Sequence, residues 1–136
     1  MRRLAFALCL FAAPALAGTP VTAHIMTTDK TVIGQPNDMP LHPTVIATMI
    51  TFKPGDKTAV HKHPFPHYGY VLQGTLTIVN TETGKSFQVK TGEFLVEMVN
   101  TFHYGENRGT VPVKILIVDQ VPEGVTTNSV PLANSR

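Results

Sequence analysis

Four histidines have the residue type and spacing to hold a metal ion: His61, His63, His67 and His103. Three lie in the stretch His61-Lys62-His63-Pro64-Phe65-Pro66-His67, and the fourth is well downstream. Alternate residues of a β-strand face the same way, so His61 and His63 can present both imidazoles on one side at about 7 Å Cα spacing. A bend through Pro64 and Pro66 can return His67 beside them, and a ligand from another strand would complete the set. Neutral imidazole suits zinc, copper, iron and nickel. The competing reading of a His-x-His pair alone is a pair of ordinary strand histidines, satisfied in the core or at the surface. For His24 and His42, which sit outside the pattern, that plainer reading stands.

Positioning these side chains is a task for strands. After Gly18 the chain has no long stripe of period 3.6 but many short β-branched runs separated by Gly, Pro, Asn and Asp, the pattern of an all-β sandwich or barrel. Strands are predicted at Val21–Met26, Thr44–Phe52, Thr58–His63, His67–Leu72, Thr75–Asn80, Lys85–Val89, Glu93–Val99, Phe102–Asn107 and Val113–Val118. Lys53-Pro54-Gly55-Asp56 and Asn80-Thr81-Glu82-Thr83-Gly84 are predicted reversals, since Pro presets φ and Gly and Asn accept tight turns. Residues 34–40 carry three breakers in seven and are predicted to cross the surface irregularly. The tail from Pro122 has little periodicity and either wraps the barrel or stays loose.

The spacing also resembles both halves of the cupin signature. The first half is Gly55, five residues, His61-Lys62-His63, three residues, His67, six residues, Gly74. The second is Gly92, five residues, Met98-Val99-Asn100, two residues, His103, three residues, Asn107. The resemblance implies a jelly-roll, or double-stranded β-helix, barrel with His61, His63, His67 and His103 on its four ligand positions and one divalent transition metal ion (Cu, Fe, Ni, Zn or Mn) near the mouth. It also places Gly55, Gly74 and Gly92 at turns. Three positions depart from the signature: His67 stands where Glu is usual, and Met98 and Asn100 replace the usual Pro and Gly. Asn tolerates the left-handed conformation, so that turn is expected to persist. Four neutral imidazoles leave the ion about +2, where three histidines and a carboxylate would leave +1, and favour softer partners. The alternative is that His67 points away and three histidines hold the ion.

Four ligands on a six-coordinate ion leave two positions for a small molecule. A β-diketone, catechol or hydroxy-ketone could bind there and meet O₂, with the ion as Lewis acid and electron route. No general acid or base is evident: Glu106 shares a strand face with Tyr104 rather than with His103, and Glu97 has no assigned part. By the same parity Gly69, Val71 and Gly105 are predicted to line the pocket, and Tyr68 and Tyr70 to pack elsewhere. Phe65 and Phe102 are placed at the mouth or in the core, and Met49 and Met98 in packing rather than as sulfur ligands. Two functions remain open, an oxygen-dependent dioxygenase or oxidoreductase and a non-catalytic metal- or small-ligand-binding protein.

The N-terminus frames this chemistry. Arg2 and Arg3, an apolar run from Leu4 to Ala13, and Pro14-Ala15-Leu16-Ala17-Gly18 read as a signal peptide, residues 1–17, cleaved after Ala17. The run is too short for a membrane span, which needs roughly 20 apolar residues. Residues 18–136 then form one domain, without Cys9, the only cysteine, and with no membrane attachment. The chain has 11 basic and 9 acidic residues, and losing Arg2 and Arg3 removes the excess, so nucleic acid is not an expected partner. The expected address is the periplasm, with secretion as the alternative. Uncovered sheet edges in such barrels lead to the expectation of a homodimer.

Overall fold

The structure, a computed structural model, describes residues 22–133; the expected signal peptide and Cys9 lie outside them. The described residues form nine strands: β1 (Thr44–Phe52), β2 (His61–Lys62), β3 (His67–Gln73), β4 (Thr75–Asn80), β5 (Ser86–Lys90), β6 (Phe94–Val96), β7 (His103–Glu106), β8 (Val113–Val121) and β9 (Val130–Pro131). They pair antiparallel into a four-stranded sheet, β1-β8-β3-β6, and a five-stranded sheet, β5-β4-β7-β2-β9. This is the all-β jelly-roll barrel expected from the pattern of short runs. Among the described residues no helix is long and apolar enough to cross a membrane.

Alternation along each strand decides what faces inward. In β8, Val113, Ile115 and Ile117 are buried while Lys114 is exposed; in β4, Leu76 and Ile78 are buried. With Phe52, Val71, Val89, Leu95 and Met98 these side chains fill the core between the sheets. Each such side chain is worth roughly 1.5–3 kcal/mol when removed from water, an upper bound because the unfolded chain is partly collapsed.

The turns follow their predicted chemistry. Gly55, Gly74 and Gly92 all have positive φ, and Asn100 adopts φ 52° in place of the signature glycine. At Gly74 (φ 79°) a Cβ would lie 2.7 Å from the carbonyl oxygen of Pro112, so space as well as conformation demands glycine. Asn80 closes the β4–β5 loop, its Oδ1 accepting the backbone N–H of Glu82 and Thr83.

Three strand expectations need correction. Residues 22–26 form no strand; they are exposed and the molecule offers them no ladder partner. The run expected at Thr58–His63 is regular only at His61–Lys62, because Thr58 bonds the Gly105 carbonyl from outside the ladder and His63 forms an isolated parallel bridge to Val99. The run expected at Glu93–Val99 ends at Val96, after which Glu97 and Met98 stay buried and alternation stops. In the other direction, β8 runs on to Val121, and the tail wraps the barrel by laying β9 against β2.

Candidate metal centre

Register brings the histidines together. His61 on β2 pairs with His103 on β7, and His67, the first residue of β3, pairs with Asp119 on β8. Potential ligand atoms of His61, His63 and His103 lie within 4.8 Å of one another; a second such group is His63, His67 and Asp119. Rings of the first group stand 4.8 to 5.0 Å apart at 50–79°, inclined to one another rather than stacked. His67 is arranged differently, its ring stacked on His63 at 3.7 Å and 6°. An imidazole lone pair lies in the ring plane, so two parallel stacked rings cannot both aim at one ion until one of them turns.

Hydrogen bonds fix the tautomers. The Nδ1 atoms of His61, His63 and His103 each lie 2.8 Å from a backbone carbonyl, of Ala59, Asn128 and Thr101 respectively. A carbonyl only accepts, so Nδ1 carries the proton and Nε2 is left with its lone pair. His67 Nδ1 lies 2.6 Å from Asp119 Oδ1 and donates there in the same way. All four rings thus have Nδ1 engaged by an oxygen, the outer arrangement that orients metal-binding histidines.

Glu97 completes the interior. It is buried, and its Oε2 lies 2.9 Å from His103 Nε2 and 3.3 Å from His63 Nε2. Neither contact has hydrogen-bond alignment: both Nε2 atoms are buried without a partner among the described residues. Burial pushes the Glu97 carboxyl up, but the imidazoles of His67, His103 and His63 outweigh it and hold the group well below the usual carboxylate range. Burial lowers His103, yet Glu97 and the Thr101 carbonyl raise it on balance. His61 is lowered, chiefly by burial and further by His63 and His103. Two orphaned lone pairs and a carboxylate facing one another, with no fixed donor between them, form a set that a cation satisfies and a water cannot fully serve. The residues therefore fit a transition metal ion.

The outer layer comes from β8 and the tail. Burial raises Asp119, but His67, Asn128 and His63 bring its carboxyl below the ordinary value. Asn128 Nδ2 donates to Asp119 Oδ1 (2.6 Å) and to the Phe65 carbonyl (3.0 Å), and its Oδ1 accepts the Phe65 N–H (3.0 Å). One tail residue thus braces His63, His67 and the loop between them. Replacing Asn128 with alanine keeps its backbone carbonyl but frees Asp119; metal affinity is expected to fall about 10-fold, the lower end for losing an outer partner. Competition against a chromophoric chelator checks this, and an unchanged affinity would mean Asp119 needs no brace.

The four histidines line a cavity of about 410 Å³ whose other walls include Ile46, Ile50, Phe52, Leu76, Ile115 and Ile117. Of the predicted lining positions only Gly105 borders it. Gly69 and Val71 face inward but into the core, where a Cβ at Gly69 would sit 2.5 Å from Leu95 Cδ2. Phe65 and Phe102 do not border the cavity; Met98 is core and Met49 is exposed on β1. Tyr68 packs on Phe94, and Glu106 pairs with Arg108 outside the barrel. Residue patterns passed over Glu97, Asp119 and Asn128. Asp119 had a signal, since it continues the inward series Val113, Ile115, Ile117; Glu97 follows a break in alternation, and Asn128 lies in a tail without period.

A two-sheet barrel with a histidine-lined pocket defines a class of small all-β proteins whose interior could hold a metal ion. The chain belongs to the cupin family: residues 48–119, more than half of it, match the cupin domain. Similar solved structures include the polyketide cyclase RemF from Streptomyces resistomycificus (20% identity, 65% of this chain and 60% of that one, TM-score 0.54). Others are oxalate decarboxylases, from Lactobacillus farciminis in a formate complex (25%, 65% and 27%, TM-score 0.55) and from Bacillus subtilis with Mn(II) centres (22%, 65% and 24%, TM-score 0.53). The matches span about three-fifths of RemF and about a quarter of each decarboxylase. No curated protein matches the chain.

Proposed function

We propose that this is an exported cupin in which His61, His63, His67 and His103 hold one divalent transition metal ion, beside which a small apolar molecule with oxygen donors is oxidised by O₂. The observation that carries the reading is the set of four engaged Nδ1 atoms, which leaves the Nε2 lone pairs of four histidines that line one cavity. His67 joins by leaving its stack on His63. When bound, the ion supplies Lewis acidity and, if redox-active, a path for electrons between the organic molecule and O₂. The chain's own residues supply the rest: Ile46, Ile50, Phe52, Leu76, Ile115 and Ile117 bind an apolar body and exclude water, and the histidines hold the ion at the wall of the same cavity.

Protein loaded in turn with copper, iron, nickel, zinc and manganese is to be assayed for oxygen uptake with β-diketones, flavonols and catechols. Uptake that disappears in His63→Ala is the expected outcome; tight metal binding with no uptake on any of them would overturn the enzymatic reading. A second reading, a non-catalytic carrier of metal or small ligand, draws support from Glu97, which is held between His63 and His103 rather than free to move protons.

The same proposal places the chain in the periplasm, or outside the cell, as a homodimer. An N-terminal sequence beginning at Gly18 is expected of the exported form, and retention of Met1 would contradict it. For the dimer, β1 is a nine-residue edge strand without a charge, with Val45 and Met49 exposed, and such an edge invites a partner strand. Light scattering should give twice the chain mass; a monomer mass would remove the dimer.

A further inference from the structure

Resting on the metal reading above, we infer that Glu97 is itself a ligand of the ion, supplying from the segment after β6 the carboxylate that His67 displaces from its usual place in the signature. The geometry already has coordination spacing. Two bonds of about 2.1 Å at a right angle hold their donor atoms about 3 Å apart. Glu97 Oε2 stands 2.9 and 3.3 Å from the Nε2 atoms of His103 and His63. An oxygen hydrogen-bonded to those nitrogens would lie along their axes; this one lies off axis, leaving both nitrogens buried and unpartnered. Off axis at that distance is where a neighbouring ligand on a shared ion sits.

Two independent features agree. The backbone N–H of Glu97 is tied to the His67 carbonyl (2.9 Å), which anchors the carboxylate's stem beside the third histidine. No Lys or Arg is among the residues that line the cavity, so among them only a metal ion or a protonated imidazole can neutralise the buried charge. The consequence is chemical. With Glu97 bound the site carries about +1 rather than +2, which widens its range from soft ions toward manganese and iron(II). Four histidines and Glu97 also leave a single open position on a six-coordinate ion. An organic ligand then binds through one oxygen, or through two if it displaces the carboxylate.

Cobalt(II) titration of the full chain reads this directly, because the visible bands of cobalt report the donor set. Glu97→Gln keeps the volume and removes the anionic donor; affinity is expected to fall by more than the roughly 100-fold upper figure for outer partners, with altered bands. Unchanged affinity and bands overturn the inference, and so does weaker binding with unchanged bands, since that is a charge acting from a distance. Glu97→Asp keeps the charge and withdraws the oxygen; it should fold where Gln does not and still shift the bands, and identical bands count against a bond. His103→Ala separates the two levels. If wild type binds cobalt and that variant does not, the histidine site stands and Glu97 is judged on its own variants; if wild type binds none, both fall.

Discussion

Replacing His103 with alanine is expected to empty the metal site and, separately, to destabilise the metal-free protein. His103 is 1% exposed on β7, its Nδ1–H held by the Thr101 carbonyl and its register partner being His61. The next residue along that face of β7, Gly105, has no side chain to take its place. Affinity should therefore fall beyond the roughly 10- to 100-fold typical of outer-partner losses. The second effect has a different cause. Truncation leaves the Glu97 carboxylate, buried in the same interior, without the imidazole 2.9 Å from its Oε2, and a buried polar group left unsatisfied costs about 1–3 kcal/mol, more when it is charged. Adding Glu97→Gln removes the stranded charge, so the double variant should regain much of the stability in urea unfolding but none of the metal. A His103→Ala protein that still retained one equivalent of metal with wild-type affinity would refute the ligand assignment.

How the site divides between what residue patterns reveal and what they hide has a physical basis. Period-2 parity placed His103 and Gly105 inside and Tyr104 and Glu106 outside, and the structure agrees because β7 is regular over those four residues. The left-handed turn at Asn100 was legible for the same kind of local reason, since Asn accepts it. Glu97 was not legible, because parity counts only within a ladder and the chain leaves β6 at Val96 to cross the barrel interior with Val96, Glu97 and Met98 all buried. Asp119 was legible and overlooked: extending β8 by the alternation of Ile115 and Ile117 points it inward. Asn128 depends on β9 docking against β2, a contact between distant segments that no local pattern encodes. Inward parity also does not distinguish core from pocket. Gly69 and Val71 face in like His67, but Leu95 and Ile115 already fill the space over them.

That thin docking sets the last expectation, which concerns metal removal. A ligand bound only to the folded state stabilises it by about 4 kcal/mol at 1,000 times its dissociation constant. For a domain of this size that is on the order of 10–20 °C in Tm, so chelation should lower the midpoint by that much. The loss should also be local. β1 and β8 pair along nine residues each, and β3 is held on both sides. By contrast β2 is two residues long, meets β7 at the single pair His61 and His103, and is otherwise fixed by β9 and by the Leu132 N–H to the Val60 carbonyl. An ion shared by His61, His63 and His103 would tie this weakly laddered segment to β7, substituting metal bonds for missing backbone ones. Hydrogen exchange should therefore accelerate on chelation at residues 60–63 and 125–132 well before β1, β3 and β8. Uniform acceleration across both sheets, or a midpoint that chelation leaves in place, would show that the histidines are held by the barrel alone.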